Sequence, residues 1–87
     1  MAKSLIENEK KQEKLFSKYV KYGHIVVKTF DNGHDYYYGR HGNFTLNTDT
    51  FEWNGIKVFL HRSRAEKIAK EHEGKVIKFN DRFKFTE

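Results

Sequence analysis

Two Asn-Gly dipeptides, Asn32-Gly33 and Asn54-Gly55, set the strongest local constraint on this chain, because each stands between segments rich in β-branched and aromatic residues. A two-residue type I′ turn needs positive φ at both central positions, which Asn tolerates and Gly adopts freely, and its twist matches that of the flanking strands. The sequence therefore predicts two β-hairpins within residues 24–60. In the first, a turn on Asn32-Gly33 pairs Ile25 with Arg40, Val27 with Tyr38 and Thr29 with Tyr36 on one face, and Lys28 with Tyr37 on the other. The first face is the expected core side. Tyr37 and Lys28 are then an exposed aromatic-cation pair, suited to stacking on a base or on a partner's surface. In the second hairpin Trp53 pairs with Ile56 and Phe51 with Val58, which makes Trp53 and Phe51 core residues, while Glu52 meets Lys57 as an opposite-charge pair. A turn at Asn47-Thr48-Asp49 resets the alternation between Phe44-Thr45-Leu46 and Phe51.

Helical periods flank this β-rich centre. Ser4 and Glu7 fit a capping box, opening a helix that runs to Tyr22, with Gly23 as its left-handed terminator. Leu15, Phe16, Tyr19 and Val20 give that helix a short apolar stripe, whereas Glu7 to Lys14 contains no apolar residue. Only the second half can dock on a sheet. A second helix, 64–72, follows from Ser63 and Glu66 as another capping box and from Ala65, Ile68, Ala69 and His72 at i, i+3, i+4 and i+7, ending at Gly74. Residues 75–86 read as two strands joined by a turn at Asn80-Asp81-Arg82. The expected architecture is a single α+β domain over residues 1–87, in the order α-β-β-β-β-α-β-β: an N-terminal helix (1–22), an antiparallel sheet of two hairpins (24–60), a short second helix and C-terminal strands.

The chain has 87 residues and no Cys, so disulfides and thiolate metal sites are excluded and packing alone must hold the fold. Eight Phe, five Tyr and one Trp supply a core of large rings. The N-terminal residues contain no apolar run long enough for a signal peptide or a membrane span, which predicts no membrane association and a cytoplasmic location. Net charge is +5, unevenly spread: residues 1–22 hold six Lys against three Glu, residues 23–60 hold three basic against four acidic, and residues 61–87 hold eight against five. A positive field steers a chain towards nucleic acid or an acidic protein surface.

The run from Phe59 to Val76 (Phe-Leu-His-Arg-Ser-Arg-Ala-Glu-Lys-Ile-Ala-Lys-Glu-His-Glu-Gly-Lys-Val) resembles the ending of small uncharacterised accessory proteins of phages and mobile elements of Gram-positive bacteria. There a strand ending in Phe leads through a capping Ser or Thr into an Ala-x-x-Ile-Ala helix and then Gly-x-Val. The resemblance covers eighteen of the 87 residues and transfers no functional residue. It implies an accessory factor acting on host machinery in the bacterial cell, including inhibition of host defence. Tyr36-Tyr37-Tyr38-Gly39, preceded by Gly23-His24-Ile25, looks like the opening hairpin of GIY-YIG nucleases. The first motif lacks its Tyr, no helix with a catalytic Arg follows, and no metal-binding Glu is assignable.

Other chemistry finds no footing. His24, His34, His41, His61 and His72 show no zinc-binding spacing, although His24 and His41 are expected as cross-strand neighbours. There is no Gly-x-Ser-x-Gly elbow and no Gly-rich phosphate loop. The expectation is a non-enzymatic protein without catalytic residues, metal or cofactor, which engages a host protein or nucleoprotein complex. The candidate contacts are Lys10, Lys11, Lys14, Lys18 and Lys21 of the first helix, Lys28 and Tyr37 of the hairpin, and Arg62, Arg64 and Lys67 at the second helix. Direct binding of nucleic-acid phosphates through the same cations is the alternative, and it would be independent of sequence.

Overall fold

Ile25-Val26-Val27 is a continuous apolar run, the pattern of a strand buried on both sides. A computed structural model, which describes residues 13–83, places it accordingly. After helix α1 (13–22) come β1 (His24–Thr29), β2 (Asp35–Tyr38), β3 (Phe44–Thr45), helix α2 (Arg62–His72), β4 (Lys75–Lys78) and a short helix α3 (Phe79–Phe83). The strands form one antiparallel sheet in the order β3-β2-β1-β4, giving the expected α+β class. Successive side chains of β1 point to opposite faces. Ile25 and Val27 join Val20, Tyr37, Ile56 and Phe79 under α1 and α3. Val26 joins Phe59, Ala65 and Ala69 under α2. The capping box at Ser4 and Glu7, the helix before residue 13, and Phe85 lie outside the described residues.

The first hairpin forms with a different turn. Phe30 N–H donates to His34 O (3.0 Å) and Gly33 N–H to Phe30 O (2.9 Å), closing a three-residue loop, Asp31-Asn32-Gly33, in which Gly33 alone has positive φ (81°). This is a turn followed by a left-handed glycine, the second commonest hairpin closure. Asn32 stabilises it through its side chain, accepting from His34 N–H at 3.0 Å and donating to the Tyr36 hydroxyl at 3.1 Å. One added loop residue shifts the register by one, so Val27 faces Tyr37, Lys28 faces Tyr36 and Thr29 faces Asp35. Tyr37 thereby moves to the core side and is 5% exposed, the reverse of the expectation. His24 pairs with Lys78 and bridges to Phe59, so it is not the cross-strand neighbour of His41.

The second Asn-Gly does not make a hairpin. Residues 46–58 are irregular apart from a bridge between Gly39 and Ile56. Side chains of Asn47 and Asp49 capture the backbone first: Asp49 N–H donates to Asn47 Oδ1 (3.0 Å), and Phe51 N–H to Asp49 Oδ1 (2.8 Å). Asn47 Nδ2 also reaches Glu52 Oε2 (2.8 Å) and Asn54 Oδ1 (3.1 Å). Such local bonds offer the chain an alternative to a strand ladder. Gly55 is needed for close approach, since a Cβ there would stand 1.8 Å from Asp49 O. The consequence for the rings is large. Trp53, expected in the core, is 77% exposed and rests on His41, while Phe51 is half-buried against Tyr19 and only Ile56 is fully buried.

Helix α2 begins at Arg62, two residues before the expected start at 64, so Ser63 lies inside it and the N-cap is His61, with no side-chain cap bond. Small Ala65 and Ala69 face the sheet and are buried, and Arg62 pairs with Glu66 across one outer turn at 2.8 Å. The left-handed terminator is Glu73 (φ 59°), not Gly74; Gly74 instead abuts Val26 and the Val27 carbonyl, as Gly23 abuts Tyr19 and Val58. At the C-terminal end the chain turns helical where a second strand was expected. Phe79 and Phe83, four residues apart, fall on one face with ring centroids 5.2 Å apart. Phe79, 1% exposed, also meets Phe16 and Tyr19 edge-on at 6.0 and 6.4 Å.

Phe79→Ala should therefore cost about 3–5 kcal/mol, and Trp53→Ala less than about 0.5 kcal/mol, in chemical unfolding. Tyr37→Ala should lower the melting temperature more than Tyr36→Ala does.

Candidate partner interface

The apolar residues of α1 turn Phe16, Tyr19 and Val20 to the core. Lys14, Lys18 and Lys21 repeat at i, i+4 and i+7 and are all exposed, so they form one stripe on the helix. Lys10 and Lys11 lie outside the described residues. Arg62, Arg64 and Lys67 are exposed on α2, across the sheet from α1, so the two sets of cations belong to different layers. Arg62 is engaged by Glu66, whereas Arg64 and Lys67 line a surface hollow of about 350 Å³ with Lys57, Phe59, Ile68 and Glu71. The Lys57 ammonium stands 5.4 Å from the Phe59 ring centre.

Lys57 lines a second hollow as well, of about 300 Å³, with Tyr19, Arg40, Thr50, Ile56 and Val58. The segment 56–59 is the seam between the layers, with Ile56 in the α1-side core and Phe59 in the α2-side core. Across this seam Arg40, Lys57, Arg64 and Lys67 make a cationic track that shares Lys57 between its two hollows. Sequence reasoning missed Arg40 and Lys57, because it tied Arg40 to a strand and Lys57 to Glu52. Glu52 is held instead by Asn47, and its carbonyl accepts from Arg40 at 3.3 Å. The cluster Asn47-Thr48-Asp49 was the available signal, since such residues mark a loop.

Tyr37 is buried on the α1 side and leaves the candidate set. Its place beside Lys28 is taken by Tyr36, directly across the ladder. Lys28 is half-buried, with its ammonium 5.5 Å from the Phe30 ring centre. Phe30 meets Tyr36 and Phe44 edge-on at 4.8 and 5.6 Å, and these rings with Asn32 line an open hollow of about 340 Å³.

Burial pushes the Tyr19 phenol above its ordinary value of 10, and the nearby Arg40 charge acts in the opposite direction. At neutral pH the second hollow thus holds an uncharged phenol near the Arg40 charge. Among the described residues no three or more His, Asp or Glu side chains are grouped so as to hold a metal ion. His41 rests on Trp53, and His72 packs on Tyr38 and Phe44. Among the described residues no helix is long and apolar enough to cross a membrane. No family model matches the chain, and no curated protein or solved structure matches it.

A raised phenol pKa favours the folded state at and below the unfolded value near 10, and that contribution is lost as pH climbs through the folded value. Ultraviolet titration of the wild type against Tyr19→Phe should show a phenol ionising above 10. Arg40→Gln should raise it further by removing the stabilising cation.

Proposed function

We propose that this protein is a non-enzymatic accessory factor of the phage type, which acts in the bacterial cytoplasm by binding an acidic surface of a host protein or nucleoprotein complex. The observation that carries the reading is the track Lys57-Arg64-Lys67, where three cations share one hollow with an apolar floor of Phe59 and Ile68 and a single carboxylate, Glu71. Apolar area beside unpaired charge suits a protein surface, because the rings provide contact area and the cations speed encounter and fix register. The exposed α1 stripe, Lys14, Lys18 and Lys21, adds to the steering field from the other layer.

Direct nucleic-acid binding is the second reading. It is favoured by the aromatic hollow of Phe30, Tyr36 and Phe44 beside Lys28, since a base can stack on such rings while phosphates meet the cations.

Replacing Lys57, Arg64 and Lys67 together by Glu should leave the melting temperature within a few degrees of wild type, as exposed charges contribute little to stability. The same variant should lose capture of the bacterial partner, and nuclease treatment should not abolish capture by the wild type. Capture that disappears with nuclease, together with an affinity falling steeply against salt, would transfer the reading to nucleic acid. Undiminished capture by the triple variant would remove the interface.

A further inference from the structure

Arg64, Lys67, Ile68 and Glu71 stand at i, i+3, i+4 and i+7 of α2 and so share one face, and with Lys57 and Phe59 they line the hollow of about 350 Å³. The hollow is therefore a short groove between α2 and the segment 57–59. Its floor is recessed, since Phe59 is 7% exposed and Ile68 half-buried, whereas Lys57, Arg64, Lys67 and Glu71 are exposed. Long cationic side chains lay their stems along apolar surface and keep the charge in water, which sets these charges at the rim. The Lys57 ammonium stands 5.4 Å from the Phe59 ring centre. Arg62 is paired with Glu66, but among the described residues Arg64 and Lys67 have no carboxylate within ion-pair distance.

We infer that this groove takes a short linear acidic segment of the partner protein, with one large apolar side chain set over Phe59 and Ile68 and carboxylates beside it towards Arg64 and Lys67. The inference rests on the partner reading and narrows it from an acidic surface to a linear segment. Three cations against one carboxylate select an anionic occupant, and an apolar floor between those charges is filled by an apolar side chain next to acidic ones. Phe59 is too deeply buried, with an ammonium already over its ring, to offer a face on which a base could stack, so the chemistry favours a peptide over a nucleic acid. From Arg64 to Glu71 the helix rises about 10 Å, a span that about three residues of extended chain cover. Arg64 and Glu71 lie at opposite ends of that span, which gives the groove a polarity: acidic residues belong at the Arg64 end, and a carboxylate at the other end would meet Glu71.

The test is titration of the isotope-labelled full chain with the peptide acetyl-Ser-Asp-Asp-Leu-Ser-Gly-amide and with the same residues in reverse order, followed by nuclear magnetic resonance of the backbone amides. Saturable shifts at Phe59, Arg64, Lys67 and Ile68 are expected from at least one of the two, and the tighter peptide sets the chain direction. Exchanging its Leu for Ser should weaken binding about tenfold or more, because the apolar contact is lost. Arg64→Gln and Lys67→Gln should each weaken it about two- to fivefold, and Glu71→Gln should strengthen it about twofold, as expected for exposed charges. All three are exposed helix positions, so the melting temperature should stay within a few degrees of wild type. No saturation by either peptide, equal binding of the Leu and Ser peptides, unchanged affinity in both cation variants, or tighter binding of an oligothymidylate at the same amides would each overturn the segment. If the peptides fail while the charge reversal of Lys57, Arg64 and Lys67 still loses the captured partner, the linear segment falls and the partner reading stands with a folded acidic surface as its target. Peptide binding alongside undiminished capture by that variant would support the groove and remove the partner reading.

Discussion

Burial of β1 on both faces is the constraint from which the rest of the structure follows. Ile25 and Val26 are fully buried on opposite sides of the same strand, so two separate layers must cover it. Helix α1 meets this need with Phe16, Tyr19 and Val20, and α2 with Ala65 and Ala69, whose small side chains bring the helix close to the sheet. A sheet closed in this way at its centre has no open face on which to lay bases or a peptide. On the proposed reading, recognition falls to the outer faces of the helices, the seam at 56–59 and the far end of the first hairpin.

How far this was legible in the sequence depends on which force decided each element. Helices were readable where apolar residues repeat at helical spacing, as at Ala65, Ile68 and Ala69, because the same residues make the core contacts. The first hairpin was readable as a hairpin, but its register was not. Asn32-Gly33 is compatible with a two-residue and a three-residue closure, and the choice moves Tyr37 from one face to the other. Asn54-Gly55 carried the same local signal and lost to side-chain bonds from Asn47 and Asp49, which come from further back along the chain. At Phe79 the chain could have continued as a strand. A helical turn instead brings Phe83 over Phe79 within the ring cluster.

The candidate sites divide along the same line. Lys14, Lys18 and Lys21 follow from the helical period once Phe16, Tyr19 and Val20 are assigned to the core, and Arg64 and Lys67 follow from the second helix in the same manner. Arg40 and Lys57 do not follow from any period. Their backbones come together because an irregular loop folds back along Tyr38 to Arg40, and such a path is written in specific side-chain bonds rather than in patterning. The most informative cations of the surface were therefore those that pattern reading could least reach.

The two edges of β1 differ sharply in how far along the chain their partners lie. β2 is reached across a three-residue loop, whereas β4 pairs with β1 only after about fifty intervening residues. Closing a tight hairpin takes microseconds, and a longer loop carries an added entropic cost that grows with the logarithm of its length. During synthesis the hairpin can thus assemble while the opposite edge of β1 still lacks its backbone partners. That edge carries Ile25, Val26 and Val27, and it stays open until Lys75–Lys78 has been made, late in an 87-residue chain. The strand most protected in the finished protein is the one most exposed to mispairing while the protein is being built.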